Sequence, residues 1–146
     1  MAYNEFVLDN EAQGINYLRQ ITKEGWTVTP TDYVYDSYDA TVTNGTRTFT
    51  VENKVRYITR ALAEKGLLLD RSKVSPDTDY YIEYIPSDHG AYIISYDEIM
   101  KGIDTNEITL DRRQASAYTW RDRSVKCEKC NWLIPLRLFR RVDIPS

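Results

Sequence analysis

YDATVTNGTRTFTVENK, residues 38–54, reads as two strands around a turn. Thr, Val and Phe alternate on both sides of Asn44-Gly45, a dipeptide suited to tight hairpins because both residues tolerate positive φ. Strand side chains alternate between faces, so Phe49 and Val51 share one face of the returning strand and Thr50, Glu52 and Lys54 the other. The loop length then places Asp39. A two-residue Asn-Gly loop sets Asp39 opposite Thr50, and a four-residue loop over Asn44–Arg47 sets it opposite Glu52. Either even loop gathers Asp39, Glu52 and Lys54 on one side of the sheet, whereas a three-residue loop sends Asp39 to the opposite face.

Gathered in that way, the three groups have a chemical use. Adjacent carboxylates repel, and a hard divalent cation such as Mg²⁺ is the usual means of keeping both ionised. Such an ion polarises a phosphodiester and acidifies a bound water, while a lysine orients that water or stabilises the charge that develops. The alternative is a solvated hairpin face, where a cross-strand charge pair contributes roughly 0.2–1 kcal/mol and performs no chemistry.

Outward from the hairpin, residues 9–24 open with an Asp/Asn cap and carry Glu11, Ile15, Leu18 and Thr22 along one stripe, which predicts a helix ending near Gly25. Residues 26–43 are rich in Thr, Val and Tyr, as strands are, with Pro30 as an interruption. Residues 56–66 repeat apolar side chains at helical spacing and stop at Gly66. LLLDRSKVSPDTD follows as a connection, and YYIEYIP (80–86) and AYIISY (91–96) read as strands around a Ser87-Asp88-His89-Gly90 turn, with DEIMKG starting a short helix. The order is α-β-β-α-β-β. A strand, helix and strand in succession favour a crossover and one parallel pair, hence an α/β or α+β domain with a mixed sheet flanked by helices. The sequence predicts one domain over residues 1–146, with its core at about 9–103 and a basic C-terminal extension from 104 to 146 that includes WLIPLRLFRRVDIP, a strand broken by Pro135.

An Asp, a turn, then Glu-x-Lys on the returning strand, with a helix before and a helix and strand after, resembles the PD-(D/E)xK restriction-endonuclease-like nucleases over roughly residues 9–96. The resemblance implies that Asp39 and Glu52 hold Mg²⁺ or Mn²⁺, that the backbone carbonyl of Asn53 adds a ligand, and that Lys54 is the catalytic lysine. Many members carry a glutamate on the first helix, and Glu11 matches that position. The competing reading of Glu11 is an acid near the positive end of a helix dipole. Two departures stand out: Tyr38 replaces the proline of the motif name, and Asn53 stands where an apolar residue usually packs. Neither removes a catalytic group. The function implied is metal-dependent hydrolysis of DNA, structure-selective or weakly sequence-specific, since so short a domain favours structure selection or action as a homodimer over long-site recognition.

Composition sets the other bounds. The net charge of −3 divides into −8 over residues 1–110 and +5 over residues 111–146. The basic end suits either a polyanion or the acidic remainder of the same domain. Within it, Arg112, Arg113, Arg121, Arg123 and Lys126 are candidate phosphate contacts, interleaved with Tyr118 and Trp120 for stacking on bases. Cys127 and Cys130 form half of a zinc site, but His89 is the sole histidine and cannot complete a Cys₂His₂ set, so zinc is not expected. No P-loop, G-x-G-x-x-G or G-x-S-x-G occurs, which excludes a nucleotide-cofactor or serine-hydrolase reading. No apolar run approaches the roughly 18 residues of a membrane span, and the acidic start does not read as a secretory signal, so an intracellular, cytoplasmic protein is expected. The competing function is a non-catalytic module that binds nucleic acid or protein, on a degenerate nuclease fold or an unrelated α+β one.

Overall fold

The computed structural model describes residues 2–31, 38–111 and 131–145, with side chains from residue 12 onward. The chain opens with α1 (Ala2–Ile21) and β1 (Thr27–Pro30). Pro30 cannot donate to a ladder, which suits β1 because it lies at the sheet edge and pairs with one neighbour. The hairpin follows as β2 (Ala40–Thr43) and β3 (Thr48–Val55). Their last pair is Thr43 with Thr48, leaving the four-residue loop Asn44–Arg47. Side chains close it: the Asn44 carboxamide accepts from the backbone N–H of Thr46 at 2.9 Å and of Arg47 at 2.7 Å. Gly45 supplies the one positive φ, 91°. The loop is even, and of the two even registers it is the one that sets Asp39 against Glu52.

Beyond the hairpin come α2 (Arg60–Ala63), β4 (Leu67–Asp70), β5 (Tyr80–Ile85), β6 (Gly90–Ser95), α3 (Tyr96–Asp104), β7 (Thr109–Asp111), β8 (Asn131–Ile134) and β9 (Arg140–Asp143). Six strands form a mixed sheet in the order β1-β2-β3-β5-β6-β9, parallel only between β3 and β5, and β4-β8-β7 form a smaller antiparallel sheet. This is a mixed α+β architecture with few helices. Chain reversal between β3 and β5 by way of α2 and β4 makes that one pair parallel, as a crossover requires.

The two faces of the large sheet are covered differently. Leu18 of α1 packs on Val51, Ile82 and Tyr84, with Ile15, Tyr17 and Ile21 beside it. On the other face Tyr81 and Ile94 meet Ile99 of α3, Ile108 and Ile134 of β8. Ile94, Ile99 and Ile108 are essentially inaccessible, and each such side chain contributes roughly 1.5–3 kcal/mol. Among the described residues three tyrosines are also core residues: Tyr81, Tyr84 and Tyr92 are buried with their hydroxyls bonded to Lys73, Asn53 and Asp88. The abundance of tyrosine thus serves half-polar core positions here.

Several elements differ from the sequence expectation. The helix expected at 56–66 shrinks to α2, because Arg56 N–H bonds Tyr84 O at 2.8 Å and extends the β3–β5 ladder into the segment. Leu67–Asp70, expected as a connection, is β4, whose partner β8 lies far along the chain. Pro135 does more than interrupt a strand. It separates β8 in the small sheet from β9 in the large one, so the basic C-terminal part supplies strands to both sheets. The first helix begins before residue 9 and ends at Ile21.

Candidate active site

Asp39 is the residue before β2, and one further step of the hairpin register sets it opposite Glu52. Its backbone N–H donates to Val51 O at 2.9 Å, and its Oδ2 accepts from Asn53 N at 2.8 Å. Backbone groups of alternate strand residues point the same way, so the Asn53 carbonyl also faces the β2 side, next to the Asp39 carboxylate. The two carboxyls are near enough for each to shift the proton affinity of the other. Burial, and then the charge of Asp39, push the Glu52 carboxyl up to about 8. Burial also raises Asp39, opposed chiefly by the Asn53 N–H. Burial thus makes the pair hold protons more tightly than free carboxyls do.

Lys54 is exposed, on the same face as Glu52, and both carboxylates feel its charge. Lys73, on a short 3₁₀ turn after β4, acts more strongly on both. Opposite Lys54 in the parallel ladder stands Glu83, buried at 4% exposure. Its Oε1 receives Arg56 Nη2 at 3.1 Å and Nε at 3.3 Å, while its Oε2 is buried with no partner among the described residues. Burial raises the Glu83 carboxyl and Arg56 opposes the rise. Glu52, Lys54 and Glu83 line one small recess, closed by Leu67, Leu69 and Ile134 of the second sheet.

Of the residues singled out in the sequence, Asp39, Glu52, Lys54 and the Asn53 backbone are thus brought together. The Asn53 side chain turns to the α1 face, where Tyr84 Oη donates to its Oδ1 at 2.9 Å. α1 passes so close that a Cβ at Gly14 would stand 3.2 Å from Asn53 Cβ. Glu11 lies in α1, about one turn before Gly14, and its side chain is outside the described atoms. Arg112, Arg113, Arg121, Arg123, Lys126, Cys127 and Cys130 lie outside the described residues. His89 is exposed, at the end of a 3₁₀ turn. Sequence reading missed Lys73, Glu83 and Arg56. Glu83 carried a signal, an acid inside the apolar run YYIEYI, whereas nothing in RSKVSP marks Lys73.

Among the described residues no three His, Cys, Asp or Glu side chains converge. No described helix is long and apolar enough to cross a membrane.

The chain is similar in fold to a nuclease from a fusselovirus, at a TM-score of 0.50 and 14% identity, over 94% of this chain and 83% of that one. No protein-family model matches the sequence, and no curated protein is significantly similar to it.

Proposed function

We propose that the protein is a metal-dependent nuclease of the PD-(D/E)xK kind that hydrolyses DNA phosphodiester bonds at Asp39, Glu52 and Lys54. The observation that carries this reading is the hairpin register that brings half-buried Asp39 and Glu52 together, two residues from an exposed lysine. A fold shared with a viral nuclease supports it. A surface hairpin would have no reason to hold two acids together at an energetic cost.

Asp39 and Glu52 would hold Mg²⁺ or Mn²⁺ with the Asn53 carbonyl, and Glu11 is a further donor if α1 presents it to the same ion. The ion, when bound, supplies Lewis acidity toward the phosphoryl oxygen and lowers the pKa of a bound water. Asn53 N–H holds Asp39 through its Oδ2. Lys54, on the next outward position after Glu52, orients the attacking water or stabilises the charge that develops on the phosphate. The recess walls of Leu67, Leu69 and Ile134 lower the local polarity on the inner side.

The experiment is incubation with plasmid, branched and single-stranded DNA in Mg²⁺ or Mn²⁺, beside Glu52→Ala and Lys54→Ala. Cleavage by wild type alone supports the nuclease. DNA that is bound and never cut supports the non-catalytic module instead.

A further inference from the structure

We propose that Lys73 is a second cationic residue of this site, there to bind a phosphate of the nucleic-acid backbone where it meets the Asp39–Glu52 pair. The inference rests on reading the site as one that acts on nucleic acid.

Lys73 is held in place through its backbone. Tyr81, the ladder partner of Glu52, projects from the same face of the sheet and is 2% exposed. Its hydroxyl donates to Lys73 O at 2.9 Å and accepts from Ser75 N at 3.0 Å. Just beyond, Asp79 Oδ2 accepts from Thr50 N at 2.9 Å and Thr50 Oγ1 donates to Asp77 O at 2.6 Å. The Asp70 carboxylate closes the near end by accepting from Ser72 N at 2.9 Å. The segment from Asp70 to Asp79 is therefore stapled to Thr50 of β3 and Tyr81 of β5, which holds the Lys73 backbone against the ladder partner of Glu52.

The Lys73 side chain is exposed and belongs to no ion pair among the described residues. Its charge nevertheless reaches Asp39 and Glu52 more strongly than that of Lys54. A lysine that served only to neutralise these acids would close on one of them. Lys73 forms no such pair among the described residues, and its backbone is anchored by Tyr81. A phosphate with its cation supplies alternating charge between Lys73 and the acids, and an ammonium suits it as a mobile point charge with three donors. Lys54 and Lys73, from different elements, would then bracket the phosphate.

The test uses fluorescence anisotropy of a short labelled DNA duplex in Ca²⁺, with the affinity of the full chain measured across a range of salt. Loss of one phosphate contact in Lys73→Ala makes the slope of log K against log salt shallower by about 0.9. Lys73→Arg restores the slope, and Lys23→Ala, on the α1 side, leaves it as in wild type. In Mg²⁺, kcat/KM of Lys73→Ala falls about tenfold or more with an unchanged melting temperature. A wild type that shows no duplex binding, or a Lys73→Ala slope equal to the wild-type slope, overturns the inference. A Lys73-dependent slope in a wild type that never cuts keeps the phosphate contact and removes the nuclease. Cleavage by wild type with slope and rate unchanged in Lys73→Ala does the reverse.

Discussion

Asp39 and Glu52 face each other one step beyond the last ladder pair of the hairpin, and the Asn53 N–H holds Asp39 Oδ2 at 2.8 Å. Burial raises both carboxyls, which ties stability to pH.

The pH dependence has a definite sign. The Glu52 carboxyl is raised from 4.5 to about 8 in the folded chain, so the folded state holds the proton more tightly than the unfolded one. Its contribution is fully present below about pH 4.5 and is lost as pH rises through about 8. Metal-free wild type should therefore melt at lower temperature at the top of that window. Glu52→Gln, which carries no charge to bury, should be more stable than wild type there by at least about 1 kcal/mol. Melting curves of both chains in chelator across the window measure this.

Arg56 and Glu83 form a second linked pair. Removing Arg56 leaves a buried carboxylate with neither oxygen paired by a cation, and Arg56→Met should cost about 2–4 kcal/mol, with a greater loss at high pH than at low pH because Glu83 is already raised by burial. Glu83→Gln in the Arg56→Met background should recover part of that loss. Urea denaturation of the three chains reads both effects.

Gly66 joins α2 to β4 with φ of 105°, and a Cβ there would stand 2.7 Å from Leu133 Cδ1 and 3.2 Å from Ile134 O. Gly66→Ala should cost at least about 2 kcal/mol through backbone strain and displacement of β8. Because β4 and β8 wall the recess beside Glu52, cleavage should fall with stability, and thermal melts run beside plasmid nicking test this.

Tyr81→Phe deletes the hydroxyl that anchors the Lys73 turn. It should lower kcat/KM and, since both changes act on one contact, make the further loss from Lys73→Ala smaller than in wild type. The four kinetic measurements of that cycle give the coupling; simple additivity would show that the anchor does not position Lys73.

That Glu52 and Lys54 share a face was legible because strand side chains alternate with period two, whereas the parity of the loop, and with it the face of Asp39, was not. The choice between two and four loop residues was hidden as well, since it turns on the Asn44 carboxamide capturing two N–H groups. The β4–β8 pairing was hidden because local pattern says nothing of a partner far along the chain. α2 was overestimated because the parallel ladder drew Arg56 out of an apparently helical repeat. Lys73 was hidden because its turn is held by the Tyr81 hydroxyl, a contact no spacing rule encodes.

The most direct measurement is Mn²⁺ titration of wild type and Glu52→Gln near neutral pH, followed by loss of the free-ion paramagnetic resonance signal, with plasmid nicking scored in the same samples. One ion bound per wild-type chain, with nicking that rises with occupancy and both lost in the folded Glu52→Gln chain, is the predicted result. Equal Mn²⁺ binding by the two chains, or nicking that survives in Glu52→Gln, would contradict the assignment of Asp39 and Glu52 as the metal site.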